Sequence, residues 1–175
     1  MSAGLQRRID PWTLARQGGQ LQGEIGLEGM ARLLELLAGW EGCCHLALSG
    51  SLDDEGQAHL TGRLHAVVGM VCQRCLEQLP VAIDTALDFT LVADEATAAA
   101  LTSRAETLVT EPGALLDLWA LVEDELILGL PLVARHADQS NCAPQERCFG
   151  SVLAASPFAA LHELVANESS DNSKE

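Results

Sequence analysis

The stretch AHLTGRLHAVVGMVCQRCLEQLPVAIDTALDFTL, residues 58–91, decides the fold of this chain. Apolar and polar residues alternate on both sides of a Cys-x-x-Cys pair, Cys72 and Cys75. Alternation with a period of two places apolar side chains on one face of a β-strand and polar side chains on the other. Because few residues separate the two runs, they predict an antiparallel pair of strands whose turn, Cys72–Pro80, carries both cysteines.

The alternation also extends upstream of this stretch. From Cys44 onward a strand places Leu46, Leu48 and Leu52 on one face, and Asp53–Gly56 has the composition of a turn. The predicted inner face of the next two strands consists of Ala58, Leu60, Leu64, Ala66, Val68 and Met70, then Val81, Ile83, Leu87, Phe89 and Leu91. The opposite face is predicted to be wet, with His59 and His65 as surface residues.

Helical periodicity flanks this sheet. Leu27–Gly39 predicts a short amphipathic helix. The strongest helical pattern spans Ala114–Leu130, where Leu115, Trp119, Val122 and Leu126 share a face before Gly129 and Pro131 end the helix; these four residues are the predicted core contacts.

Segments of weaker pattern complete the organisation. Asp94–Gly113 predicts an irregular connection or a frayed helix, and Ser156 is placed to cap a short C-terminal helix. The sequence thus predicts a single α+β domain over residues 1–165, an antiparallel sheet of hairpins or a meander packed by a few helices. Residues 166–175 are predicted to be a disordered acidic tail.

The charge restricts the class of partner. The chain of 175 residues has 25 Asp and Glu against 10 scattered Lys and Arg, a formal net charge of −15. Nucleic-acid binding normally rests on a basic patch that displaces counterions from phosphates, and no such cluster is present in the sequence. The charge therefore favours a basic protein partner. The equally weighted alternative is that the acidic surface only keeps the protein soluble and recruits no partner.

The expected compartment is the cytoplasm. The N-terminal residues lack the apolar run of a secretory signal, and the apolar segment Leu115–Leu132 contains four acidic residues and is not a membrane span. Thiols stay reduced in the cytosol, so the six cysteines indicate metal binding, redox chemistry or simple burial rather than a disulfide framework.

Three interpretations of Cys72 and Cys75 follow. A Cys-x-x-Cys turn directs two thiolates at one Zn²⁺, and the remaining ligands would come from His136, Cys142 and Cys148 beyond the long helix. The pair can also be unligated. A redox dithiol is disfavoured, because thioredoxin-like pairs open a helix after a parallel strand. Cys43 and Cys44 are interpreted as ordinary strand residues.

No catalytic constellation is recognisable. The chain has no phosphate-binding glycine loop, nucleophile elbow or His-Glu-x-x-His motif. Glu123, Asp124 and Glu125 are consecutive on a helix and point about 100° apart, so they are predicted to form a solvated face rather than a catalytic group. The chain is therefore expected not to be an enzyme.

The motifs in their order resemble a known family. CQRCL at residues 72–76, LLDLWALVEDELILGLPLV at 115–133, then His136 and Cys142, CFG at 148–150 and SPFAAL at 156–161 resemble the YceD family of large ribosomal RNA subunit accumulation proteins. The resemblance covers Val71–Leu161, and more loosely the N-terminal IDPWTLARQGGQLQGEI. The combination of motifs is specific, whereas each one alone is not.

The resemblance implies a role in biogenesis of the large (50S) ribosomal subunit and in accumulation of 23S rRNA. Genes of the family typically neighbour one for a basic large-subunit ribosomal protein. The implied partner is therefore a basic ribosomal protein or an rRNA-processing factor, with 23S rRNA engaged indirectly. The alternatives are direct 23S rRNA binding through Arg63, His65 and Arg74, and a zinc-dependent rRNA-processing enzyme.

Family members often carry more cysteines after the Leu-Pro end of the helix, which supports a metal site shared with the Cys-x-x-Cys turn. This chain departs from that pattern: it offers His136 and Cys142, with Cys148 in reserve, and has Ala134-Arg135 where relatives commonly place a proline. The predicted ligands of a structural zinc ion are thus Cys72, Cys75, His136 and Cys142.

Overall fold

A sheet of five strands dominates the described part of the protein, in a computed structural model that describes residues 5–39, 42–101, 106–137 and 142. In chain order the elements are β1 (Arg8–Ile9), α1 (Pro11–Arg16), β2 (Gln20–Gly26), a 3-10 turn (Leu27–Gly29), α2 (Ala31–Leu34), β3 (Cys43–Leu52), β4 (Ala58–Val71), β5 (Gln78–Val92), α3 (Glu95–Ala100), β6 (Glu106–Val109), β7 (Leu116–Asp117) and α4 (Leu118–Leu128). The α+β class is confirmed.

The sheet order is β2-β3-β4-β5-β6. β3, β4 and β5 are antiparallel neighbours, as the alternation predicts. β2, which the sequence did not predict, adds to β3 antiparallel, and β6 pairs with β5 in parallel over Phe89–Val92 only. β1 and β7 form a separate two-stranded pair at the start of α4. The free edge of β5 before Phe89 therefore has no strand neighbour among the described residues.

The inner face of the sheet carries the core. The fully buried large side chains on strands include Ile25, Leu46, Leu48, Leu60, Leu64, Ile83 and Leu91. Helix α4 adds Leu118, Val122 and Leu126 to the same cluster. The predicted inner faces of β4 and β5 are borne out, except that Met70 and Val81 are only half-buried, and Leu52 of β3 is exposed at the end of its hairpin.

The predicted helix over Leu27–Gly39 is much shorter in the structure. A 3-10 turn leads into one α-helical turn, with Met30 between them at φ −104° and ψ 76°, outside the helical region. Leu27, Met30 and Leu33 are the buried residues. The helical period had placed Leu27, Ala31, Leu34, Leu37 and Ala38 on the apolar face, so only Leu27 is common to both sets. Interruption of the helix at Met30 changes which side chains meet the core.

The segment Asp94–Gly113 is more regular than predicted. Asp94 accepts a hydrogen bond from the Thr97 amide and caps α3, and β6 then pairs with β5. The Thr110 amide continues this ladder by donating to the Val92 carbonyl over 2.8 Å. Pairing with a distant strand is a tertiary effect that the local Ala- and Thr-rich composition does not encode.

Helix α4 begins later than predicted; Val122 and Leu126 are buried as predicted, whereas the other two predicted core residues are not. Asp117 caps it by accepting from the amides of Trp119 and Ala120. Leu115 precedes the helix and is exposed, and Leu118 is buried while Trp119 is half-buried against the core. Glu123 and Glu125 are also buried, so the prediction of a fully solvated acidic face was wrong for these two residues and holds only for exposed Asp124.

All described residues belong to one compact unit, residues 1–143. A second unit, residues 144–175, lies outside the described residues. It contains Cys148, the predicted helix at Ser156 and the predicted tail 166–175. No helix in the described part of the chain is long and apolar enough to cross a membrane.

Candidate metal centre

The Cys-x-x-Cys pair lies in the tight turn between β4 and β5, as predicted. The turn closes with the Cys72 amide donating to the Glu77 carbonyl over 2.8 Å and the Leu76 amide donating to the Cys72 carbonyl over 2.9 Å. Leu76 has φ +64°, a left-handed conformation uncommon outside glycine. β5 begins at Gln78, so the turn is shorter than the predicted Cys72–Pro80 and Pro80 lies within the strand.

The loop after α4 packs against this turn. The Gln73 amide donates to the Ala134 carbonyl over 2.9 Å, which fixes the loop two residues before His136. Cys72, Cys75, Leu79, Ala134 and Cys142 form a small buried cluster of their own, apart from the main core. Apart from the cysteine and histidine side chains, few contacts therefore hold the loop after α4 against the cysteine turn.

The four predicted ligands converge. Their donor atoms all lie within 4.8 Å of one another. The Cys72 and Cys142 sulfurs are 3.7 Å apart, and the Cys75 sulfur is 3.5 Å from His136 Nδ1. The three cysteines are buried and His136 is partly exposed.

These separations fit a tetrahedral zinc ion. With Zn–S distances of about 2.3 Å and Zn–N distances of about 2.0–2.1 Å, tetrahedral angles place two sulfurs about 3.8 Å apart and a sulfur and a nitrogen about 3.6 Å apart. The observed 3.7 and 3.5 Å agree with both values. Three thiol ligands and one imidazole are also a donor set typical of structural zinc and unsuited to Mg²⁺ or Ca²⁺.

Two of the thiols differ in acidity. The backbone amide of Cys75, together with those of Arg74 and His136, favours the thiolate and lowers the pKa of Cys72 to about 5. Burial, and then hydrogen bonding and charge from Cys75 and Cys72, raise the pKa of Cys142 to about 11. The turn therefore favours the thiolate form of Cys72, and a bound dication would offset the cost of ionising Cys142.

The other residues of functional interest lie elsewhere. Arg63 and His65 are on the outer face of β4, and Arg63 pairs with Asp84 at 2.6 Å. Arg74 lies in the cysteine turn beyond the end of β4 at Val71, and the strand from Arg63 to Val71 is about 26 Å long at about 3.3 Å per residue. His59 contacts Asp53 and Thr90. The residues suggested for direct rRNA contact therefore do not form one patch.

Two features were not foreseen from the sequence. Glu24, Cys43 and His45 bring a second set of potential ligand atoms within 4.8 Å on the outer face of β2 and β3. Glu123 reaches the N-terminus of α2, where it accepts from the Arg32 and Leu33 amides at 2.8 and 3.2 Å. Neither has a local sequence signal, because each joins residues that are distant along the chain.

Comparison with known proteins identifies the family. The sequence model of the family described as "Large ribosomal RNA subunit accumulation protein YceD" matches residues 60–168, which is more than half of the chain. The chain belongs to the YceD family.

A curated YceD relative carries the same description. The Large ribosomal RNA subunit accumulation protein YceD of Haemophilus influenzae is 29% identical over 162 residues, covering 89% of this chain and 93% of the relative. No solved structure matches the chain. The YceD match includes the cysteine turn, α4 and the loop bearing His136 and Cys142.

Proposed function

We propose that this YceD-family chain is a non-enzymatic factor in biogenesis of the large ribosomal subunit that supports the accumulation of 23S rRNA, and that it works in the cytoplasm as an acidic adaptor for a basic protein. Family membership is the observation that carries the role in rRNA accumulation. The name of the H. influenzae relative states accumulation and no reaction.

The charge supports an adaptor over a direct RNA-binding protein. With a net charge of −15, the chain repels phosphates on average, whereas ribosomal proteins and many processing factors are strongly basic. Arg63 is neutralised by Asp84, which removes the centre of the suggested RNA-binding patch. A basic protein is therefore the preferred partner, and 23S rRNA is engaged through it.

The Cys/His cluster supports a structural zinc ion rather than a catalytic one. Four protein donors would complete a tetrahedral shell and would leave no position for water or substrate. The ion would join the β4–β5 turn to the loop after α4, which otherwise contact each other through a small cluster. Cys72, Cys75, His136 and Cys142 are the proposed ligands, and zinc would stabilise this corner of the fold.

A binding competition tests the adaptor role. Purified, zinc-replete protein is presented separately with protein-free 23S rRNA fragments and with a panel of purified large-subunit ribosomal proteins. We expect at least one basic protein to bind and the bare rRNA to bind more weakly. Tighter binding to bare 23S rRNA than to every basic protein would contradict the adaptor role and favour direct rRNA binding.

The same preparation tests the absence of an enzymatic role. Incubation with precursor 23S rRNA is expected to leave the RNA intact, with and without added Zn²⁺, when its length is followed on a denaturing gel. RNA cleavage that depends on the cysteine cluster would instead support a zinc-dependent processing enzyme.

A further inference from the structure

A small cavity at the free edge of β5 has an unusual electrostatic composition. Its volume is about 280 Å³, and Glu125 of α4, Glu106 of β6 and Asp88 of β5 line it. None of the described residues that line it is basic. Since drug-sized ligand sites occupy roughly 300–1,000 Å³, this cavity suits a single side chain or a similarly small group.

Glu125 is the informative residue of the cavity. Only 8% of it is exposed, and no described side chain or backbone group hydrogen-bonds its carboxylate or forms an ion pair with it. Burial, followed by the negative charges of Glu106 and Asp124, raises the pKa of Glu125. The contrast with Glu123, two residues earlier and fully paired with Arg32, shows that α4 leaves one buried carboxylate paired and the other unpaired.

The cavity runs along the edge of the strand. Thr85 to Phe89, five consecutive residues, line it, although successive side chains of a strand point to opposite faces. The cavity therefore lies along the backbone edge of β5 immediately before Phe89, where pairing with β6 begins. Among the described residues no strand covers this part of the edge. Backbone groups at such an edge are available to pair with an added extended segment.

The spacing of the carboxylates distinguishes between cations. Asp88, Glu106 and Glu125 do not offer three oxygens within 4.8 Å of one another, whereas the cysteine cluster and the Glu24 group do meet this limit. A metal ion bound directly by all three carboxylates needs such convergence. A guanidinium group is planar, carries five N–H donors and spans a wider area, so it can reach separated carboxylates and a strand-edge carbonyl together.

We propose that this cavity is the docking site for an arginine side chain of the basic protein partner, whose extended segment lies along the free edge of β5. The proposal deepens the adaptor function and rests on it for the identity of the partner. The arginine would supply the counter-charge that Glu125 lacks among the described residues. An open strand edge and an acidic pocket beside it would then select a basic, extended segment.

A peptide titration tests the site without knowledge of the partner. The probe is the capped peptide acetyl-Thr-Val-Arg-Val-Thr-amide, and its control replaces arginine with neutral, nearly isosteric citrulline. Binding to the full chain is followed by backbone amide NMR shifts and by the carboxyl signal of ¹³C-labelled Glu125. We expect shifts at Thr85–Phe89, a fall in the pKa of Glu125, and at least about tenfold weaker binding of the citrulline peptide.

Variants locate the interaction. Glu125→Gln and Glu106→Gln should each weaken the arginine peptide several-fold, while Glu55→Gln, which removes the same charge in the exposed β3–β4 turn, should not. Glu106 is exposed, so its variant remains informative if Glu125→Gln impairs folding. Equal binding of the two peptides, or wild-type binding by both cavity variants, would overturn the proposal.

One further variant addresses an occupant from the chain itself. Arg104 lies outside the described residues and two positions before Glu106. Arg104→Ala should leave peptide binding within about twofold of wild type. Binding that appears only in this variant would mean that the chain's own arginine is the occupant, and would overturn the proposal.

The peptide and the whole partner protein together separate the pocket from the adaptor role. If the peptide binds but no basic ribosomal protein does, the adaptor role fails and the pocket stands. If such a protein binds equally to the wild type and both cavity variants, the pocket fails and the adaptor role stands.

Discussion

Two buried glutamates on one helix behave in opposite ways. Burial works to raise the pKa of Glu123, but hydrogen bonds from the Arg32 side chain and from the backbone amides of Leu33 and Arg32 outweigh it and lower that pKa. Glu125 has no such donors among the described residues, so burial and negative neighbours raise its pKa. Ionisation of Glu123 therefore stabilises the folded protein, whereas ionisation of Glu125 destabilises it.

Replacement of Glu123 should destabilise the protein. Glu123→Gln keeps the size of the side chain but weakens its bonds to the Arg32 guanidinium and to the start of α2, at a cost of about 1–3 kcal/mol. Because the folded-state pKa is lowered, this contribution is complete above the ordinary value of 4.5 and is lost as the pH falls through the folded-state value.

Urea unfolding of Glu123→Gln at pH 7 and in acid measures both effects. The stability difference from wild type should be largest at pH 7 and should narrow in acid. Asp124→Asn is the control, since Asp124 is exposed and its bridge to Arg32 is at the surface. A larger loss for Asp124→Asn than for Glu123→Gln would contradict the role given to Glu123.

Replacement of Glu125 should stabilise the isolated protein. A raised folded-state pKa means that ionisation opposes folding, so stability is lost as the pH rises from the ordinary value of 4.5 through the folded-state value. Glu125→Gln removes this penalty and should unfold at a higher temperature than wild type at pH 7, by differential scanning calorimetry. The two proteins should converge at low pH, and a less stable variant at pH 7 would indicate that Glu125 has a stabilising partner.

At the scale of elements, α4 packs on the core through Val122 and Leu126, as predicted, but its first turn contributes Leu118 instead of Leu115. Asp117 fixes its start, so Leu118 rather than Leu115 begins the buried row that continues with Val122 and Leu126. Trp119 packs at the margin of the core and remains half-buried.

The two large residues at the start of α4 should therefore differ in importance. Leu118→Ala should cost about 2–5 kcal/mol, because it leaves a cavity in the fully buried core. Replacement of a fully buried aromatic residue by Ala lowers the free energy of unfolding by about 3–5 kcal/mol. Trp119→Ala should stay near or below the lower end of that range, because solvent already reaches the Trp119 side chain. Chemical denaturation of both variants tests the order, and a larger loss for Trp119→Ala would reinstate Trp119 as the core residue.

The cysteine turn and the loop after α4 depend on each other through the proposed zinc ion. Native mass spectrometry of protein purified under reducing, metal-replete conditions should show one zinc per chain. Cys72→Ser should lose the metal and lower the melting temperature, whereas Cys43→Ser, at a partly exposed strand position outside the cluster, should retain it. Metal-free wild-type protein of full stability would return the cysteines to simple buried thiols.

At the scale of the whole molecule, the excess of acidic residues sets the range and salt dependence of recognition. Exposed charges are screened over about 8 Å at 0.15 M ionic strength, so long-range attraction of a basic partner weakens as salt is added. Contacts in a closed pocket are screened less.

Association with the basic partner should therefore slow markedly with added salt. Between 50 and 300 mM NaCl we expect the association rate constant measured by surface plasmon resonance to fall by about tenfold or more, with a smaller change in the dissociation rate constant. A variant in which exposed Asp and Glu residues away from β5 are replaced by Asn and Gln should show a weaker dependence of the association rate constant on salt. A rate constant that does not respond to salt would argue against steering by the acidic surface.

The sequence by itself determined the three strands β3, β4 and β5, because a period of two fixes both the strand and the face it buries wherever one side meets the core. It also determined the cysteine turn, since two strands with a short connection leave the chain no other path. The ordered motifs identified the family that the comparison then found. These features depend on neighbours in the chain, so local pattern carries them.

Only the tertiary structure decided which distant residues meet. It interrupted the Leu27–Gly39 helix at Met30, paired β6 with β5, and buried Glu123 against α2, and none of these contacts has a local signal. The sequence supplied His136 and Cys142 as ligand candidates, but their approach to within 4.8 Å of the cysteine turn depends on where α4 ends over the sheet. Helix ends and long-range pairings minimise the free energy of the whole molecule, so a run of residues considered alone does not specify them.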